Sequence, residues 1–178
     1  MGYQNVEIKA RTNKDDKIRA FLLDHGADFK GVDHQTDTYF NVPVGRLKLR
    51  EGNIENNLIY YERVNQTGPK SSNFNLIKVA DAAGLKEVLE KVLGIKIIVR
   101  KKREIYYIGN VKFHLDEVPG LGKFVEIEAG NILSDLEEKK LREQCEYYTK
   151  EFEIEQDDFV AVSYSDMMSR ESIVGSQE

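Results

Sequence analysis

The chain has 178 residues, 40% of them hydrophobic and 32% charged, and carries a net charge of −5 at pH 7. That length suits one domain with its own core, and the acidic balance argues against a general nucleic-acid binder, which carries a basic surplus. No apolar run approaches the ~18 residues of a membrane span, and the lone Cys145 excludes an internal disulfide and fits a reducing cytoplasm.

In chain order, Asn5 to Thr12 reads as a strand, followed by a helix over Asp15 to Gly26, with acids in its first turn and a glycine C-cap. Short strands are predicted at Phe29–Val32 and Thr36–Asn41, and a hairpin joins Gly45–Arg50 to Leu58–Val64 around Gly52–Asn57. Thr67–Asn73 reads as a loop, Phe74–Val79 as a strand, and Gly84–Gly94 as a helix with Leu85, Val88, Leu89 and Val92 on one side. Ile97–Gly109 and Asn110–Val118 pair around the turn-favouring Gly109-Asn110, and the Pro119–Gly122 turn leads into a strand over Lys123–Ala129. Ser134 with Glu137 forms a capping box for a helix reaching about Lys150, Phe159–Tyr164 reads as a last strand, and Ser169–Glu178 as a polar, disordered tail. One domain therefore spans residues 1–168, and its hairpin-linked strands make an antiparallel sheet in an α+β fold.

Four strands alternate charged and apolar residues: Glu7–Arg11, Arg46–Arg50, Lys112–Asp116 and Phe124–Glu128. Side chains on a strand alternate between faces, so each has one charged and one apolar face. Helices packed on the apolar faces would leave the charges on the concave side of a curved sheet, as a barrel or tunnel with a wet interior. A flat sheet with its charged face in solvent is the alternative.

Glu126 and Glu128 share a face, with Asp116 on the preceding arm and Glu7 on the first strand. Such oxygen donors suit Mg²⁺ or Mn²⁺ rather than zinc, although the same carboxylates could simply pair with neighbouring Lys and Arg. The basic set is Lys9, Arg11, Arg46, Lys48, Arg50, Arg63, Lys78, Lys101, Arg103 and Lys112. Converging, these could grip successive phosphates, Arg as forks and Lys as point charges. His114 shares a face with Lys112 and Asp116 and is expected to support the site rather than act in it. Gly120-Leu121-Gly122-Lys123 lacks the spacing of a phosphate loop and suits a hairpin turn.

These segments, in this order, resemble the CYTH domain family, the triphosphate tunnel metalloenzymes. The likeness is carried by Asn5-Val6-Glu7-Ile8-Lys9, Asp37-Thr38-Tyr39-Phe40, Gly45–Arg50, Tyr61-Glu62-Arg63, Lys101-x-Arg103-Glu104, His114–Val118, Leu121-Gly122-x-Phe124 and Glu126-Ile127-Glu128. It spans about Asn5 to Met168 and is nearest the class IV adenylate cyclase branch. It implies an eight-stranded antiparallel tunnel with a charged interior and helices outside. It further implies metal ligands or their supports at Glu7, Asp116, Glu126 and Glu128, and phosphate contacts from Lys9, Lys48, Arg50, Arg63, Lys78, Lys101 and Arg103, to which the charge pattern adds Arg46 and Lys112. Glu7 and Lys9 would lie closest to the chemistry. Asn5 stands where the family signature has its first Glu, and an amide carbonyl is a neutral, weaker ligand.

The resemblance implies an Mg²⁺- or Mn²⁺-dependent enzyme acting on a nucleotide or other triphosphate, with no nucleic-acid or membrane partner and pairing of two copies left open. The first activity implied is conversion of ATP to cyclic AMP and pyrophosphate. Hydrolysis of tripolyphosphate, thiamine triphosphate or a nucleoside triphosphate is the alternative, and a non-catalytic polyphosphate or nucleotide sensor is a third. The residues do not decide the general base.

Overall fold

The computed structural model describes residues 3–62, 65–130 and 136–174. Eight strands form the frame: β1 (Tyr3–Arg11), β2 (Asp28–Phe40), β3 (Arg46–Glu51), β4 (Asn57–Glu62), β5 (Lys70–Lys78), β6 (Ile95–Ile108), β7 (Val111–Val118) and β8 (Gly122–Gly130). Every pairing is antiparallel, and the order β1-β5-β4-β3-β2-β6-β7-β8 closes on itself through β1 and β8. The closed arrangement, rather than the flat sheet, is the one formed. Closure leaves no edge strand and turns the period-two alternation into an inside and an outside.

The outside is apolar where helices cover it. Val6, Ile8, Phe113, Leu115, Val125 and Ile127 of β1, β7 and β8 are buried against Ile18 and Leu22 of α1 (Asp15–Asp24) and Leu141 and Cys145 of α3 (Glu138–Glu151). The alternate residues of the same strands, Lys9, His114 and Glu126 among them, therefore point inward. Helix α2 (Ala82–Leu93) lies against β2 and β3; Asp81 caps it by accepting the Gly84 N–H at 2.9 Å, and none of its residues is fully buried. A second apolar cluster closes one end of the ring, where Tyr39, Tyr61, Val99, Phe124 and Val160 meet Tyr164 of α4 (Tyr164–Val174). No helix among the described residues is long and apolar enough to cross a membrane.

Three elements differ from the sequence reading, each for a physical reason. β2 is one strand of 13 residues, not two short ones, because Asp33 and Gln35 pair with Arg103 and Lys101 of β6 across a polar interior. Polarity there reads as a break only if the interior is assumed apolar. β5 begins at Lys70 rather than Phe74, since Ser71, Ser72 and Asn73 pair with β1. No strand forms over 159–164: Phe159 makes an isolated bridge to Ala10, and the chain then turns into α4. Ser163 and Asp166 cap that helix reciprocally, with the Asp166 N–H donating to Ser163 Oγ and the Ser163 N–H to Asp166 Oδ2, both at 3.2 Å. The helix continues to Val174, into the stretch expected to be a disordered tail. α3 begins at Glu138; Ser134 and the capping box expected there lie outside the described residues.

Candidate active site

The interior of the ring is a cavity of about 120 Å³ that widens toward one mouth into a second of about 550 Å³. Six cations line the inner one: Lys9 of β1, Lys48 and Arg50 of β3, Lys101 and Arg103 of β6, and Lys112 of β7. Five carboxylates line it with them, Glu7, Asp37, Glu55, Glu126 and Glu128, and a sixth, Asp116, is locked to Arg103. Among the described residues the wall by itself is therefore close to neutral.

Two ion clusters organise these charges. Asp37 is the hub of the first: Arg50 donates to both its oxygens at 2.8 and 2.9 Å, Lys101 at 2.8 Å and Lys48 at 3.1 Å. Burial opposes its charge, but Arg50, Lys101 and Lys48 hold its carboxyl well below the usual range. Lys101 is the most buried of these three cations. Burial, with the positive charges of Arg50 and Arg103, pushes it down to about 7 against the pull of Asp37.

Arg103 is the hub of the second cluster, donating two 2.6 Å bonds to Asp116 and one of 2.9 Å to Glu126. Tyr164 donates its hydroxyl to Asp116 at 2.7 Å, and its ring lies 4.0 Å beneath the Lys9 ammonium, which is 3.9 Å from Glu126. The plugging helix thus supplies part of the wall. Burial lowers Lys9 as well, with Glu126 and Asp116 opposing.

One group has the composition of a metal site. His114, Glu126 and Glu128 each place a ligand atom within 4.8 Å of the others. His114 Nδ1 lies 3.3 Å from Glu126 Oε2, and its buried Nε2 has no hydrogen-bond partner among the described residues. Burial and the Arg103 charge push this imidazole down to about 4, so it is neutral near pH 7. The tautomer protonated on Nδ1 donates to Glu126 and leaves a lone pair on Nε2. An imidazole with two carboxylates and a partnerless buried nitrogen fits a divalent cation of the Mn²⁺ type. Asn5 Oδ1 is likewise buried and without a hydrogen bond.

The family profile described as the CYTH domain matches residues 3–164. The chain belongs to the CYTH domain family. It is 28% identical over 180 residues to a protein of Methanocaldococcus jannaschii named "Putative adenylate cyclase", covering 91% of this chain and 97% of that one. The PH1012 protein of Pyrococcus horikoshii shares the fold at a TM-score of 0.77 and 24% identity, covering 91% and 98% of the two chains. A Hippeastrum protein described as a "putative adenylyl cyclase" with a dominant triphosphatase activity shares it at 0.61 and 14%, covering 96% and 95%. At those identities the two structures bear on the fold alone.

Within this CYTH chain, Lys9, Lys48, Arg50, Lys101, Arg103 and Lys112 come together, as do Glu126 and Glu128. Glu7 lines the same cavity, in register with Glu128. Asp116 is bonded to Arg103 and Tyr164 and stands outside the ligand group. Arg46 lies at the plugged end, 2.9 Å from Asp166, Arg11 donates to the Leu121 carbonyl at 2.8 Å, and Lys78 is exposed at the outer mouth. Arg63 lies outside the described residues. Sequence reasoning missed Asp37 and Tyr164 as wall residues and Glu55 altogether. The signal for Asp37 was available: it shares a strand face with Gln35 and Tyr39, opposite Arg50 in the neighbouring strand.

Proposed function

We propose that the chain is a divalent-metal-dependent enzyme acting on a triphosphate, and that its reaction is the conversion of ATP to cyclic AMP and pyrophosphate. The observation that carries the reading is the balance of charge among the described residues of the closed interior: six cations against six carboxylates. A wall so balanced does not neutralise a triphosphate by itself, and a metal ion held by His114, Glu126 and Glu128 would add two positive charges to it.

In this reading Arg50, Lys101 and Arg103 take phosphate oxygens, and Lys9 stands next to the metal ligand Glu126. They fix the chain so that the ribose 3′-oxygen faces the α-phosphorus. The new bond is O3′–P, the broken one joins the α-phosphorus to the oxygen that leaves with pyrophosphate, and the 3′-hydroxyl proton is released. When bound, the metal would supply electrostatic stabilisation of the phosphate oxygens. Lys101, brought down to about 7 by burial, regains full charge beside the polyanion and with Lys9 holds the leaving pyrophosphate.

Hydrolysis of tripolyphosphate, thiamine triphosphate or a nucleotide is the second reading, since the cations lining the interior would grip a phosphate chain whatever group it is attached to. The same cation cradle would serve it, with water in place of the ribose hydroxyl. Incubation with Mn²⁺ or Mg²⁺ and each triphosphate, with products separated by chromatography, distinguishes them. Cyclic AMP with pyrophosphate supports the cyclase, orthophosphate the hydrolase, and binding without turnover a sensor.

A further inference from the structure

We infer that Glu55 stands in a phosphate position at the throat of the tunnel and so sets which anions are admitted; the inference rests on the triphosphate reading above. Glu55 belongs to the turn between β3 and β4, yet its carboxylate reaches the interior. Its Oε2 accepts from Arg50 Nη1 at 3.0 Å and from Gln35 Nε2 at 3.1 Å, and its Oε1 accepts from Lys112 Nζ. In the ring, β2 and β6 separate β3 from β7. The bond to Lys112 therefore crosses the lumen instead of running along the wall.

The crossing point is where the two cavities meet. Glu55 and Lys112 line both the inner cavity, which holds Lys9, Lys101 and Arg103, and the outer one, which holds Ile54 and Tyr107. A polyphosphate passing from mouth to centre meets this bridge first.

The turn that carries Glu55 is fixed. Fully buried Asp33 accepts the N–H of Ile54 at 2.9 Å and that of Glu55 at 3.0 Å. Asn56 bonds both ways with the Gly52 backbone, at 2.9 and 3.2 Å, and Asn53 Nδ2 donates to the Val32 carbonyl at 3.0 Å. A Cβ at Gly52 would lie 2.5 Å from Asp33 Oδ1, so the turn also packs tightly against its support. What remains free to move is the Glu55 side chain.

Carboxylate and phosphate oxygens engage Arg and Lys through the same charge-assisted geometry. A phosphate that reaches Arg50 and Lys112 must therefore replace Glu55 rather than add to it. The displacement is a fixed cost, offset only by an anion long enough to hold Lys9, Lys101 and Arg103 at the same time. A single orthophosphate can sit on those inner cations without touching the throat. Glu55 is thus a specificity-determining residue acting by competition.

The test is calorimetric titration of the parent and Glu55→Gln with tripolyphosphate and with orthophosphate, each with Mn²⁺ present. Glutamine keeps the shape and removes the competing charge. Tripolyphosphate should bind Glu55→Gln about tenfold more tightly, while orthophosphate changes less than about twofold. Glu55→Asp, too short to span the lumen, should shift tripolyphosphate affinity in the same direction and covers the case that the Gln variant does not fold. Unchanged or weaker tripolyphosphate binding in the variants overturns the role of Glu55 and leaves the triphosphate reading standing. A parent that binds no tripolyphosphate overturns that reading, and this inference with it.

Discussion

The guanidinium of Arg103 and the carboxylate of Asp116 face each other as a fork, with both hydrogen bonds at 2.6 Å and both side chains withdrawn from solvent. A buried pair of this kind contributes little relative to apolar residues of the same size, but losing one partner strands a charge. Asp116→Leu and Arg103→Met should each cost about 3–5 kcal/mol of stability in urea denaturation. The double variant Arg103→Met with Asp116→Leu should lose less than the sum of the single costs. Additive losses would show that the two do not act as a unit.

Removal of single cations tests binding. Arg50→Ala, Lys101→Ala and Arg103→Ala should each weaken tripolyphosphate binding by about 1.5–3 kcal/mol, the range for charge-assisted bonds. Arg46→Ala should have the smaller effect, because its partner is Asp166 on α4 rather than the interior. Equal affinities in all four variants, measured by calorimetry, would detach the interior cations from the phosphate.

The metal group makes a thermal prediction. A cation that binds only the folded state raises its melting temperature. Glu126→Gln, Glu128→Gln and His114→Ala should each reduce the shift produced by excess Mn²⁺, since each removes one of three clustered donors. Asn5→Glu should enlarge that shift if the added carboxylate reaches the same ion. Melting curves with and without Mn²⁺ decide, and equal shifts in the parent and the three reduced variants would sink the site.

Much of this was legible in the sequence, and the exceptions share a cause. Strict alternation in β1, β3, β7 and β8 exposed both faces, because apolar residues on one side marked the charges on the other. In β2 the pattern fails: Asp33, Gln35 and Asp37 face a polar interior, and His34 and Thr36 face away, so no apolar partner marks the face. Glu55 was invisible for another reason, since its side chain works in the interior while its backbone sits in a turn. Tyr164 was read as the end of a strand, although Ser163-Tyr164-Ser165-Asp166 has the capping spacing that starts α4. The competing expectation that carboxylates merely pair with cations holds for Asp116, and Glu126 too lies against Arg103 and Lys9. It leaves unexplained the partnerless nitrogen of His114.

Lys101 ties binding to pH, with a sign that can be worked out. Its ammonium donates to Asp37 at 2.8 Å, yet burial brings it down to about 7 from an ordinary 10.5. Between about pH 7 and pH 10 the folded, empty protein therefore holds fewer protons at this group than the unfolded chain, so stability should rise with pH across that window. A bound polyanion acts in the opposite sense. Added negative charge favours the ammonium, so tripolyphosphate binding should take up a proton, and affinity should fall as pH rises through the same window. Titrations at pH 8 in two buffers of different ionisation enthalpy would give the proton count directly. The parent should take up protons, and Lys101→Met should take up fewer. Equal uptake in the two proteins would show that Lys101 keeps its charge in the empty tunnel and that its proton is not part of binding.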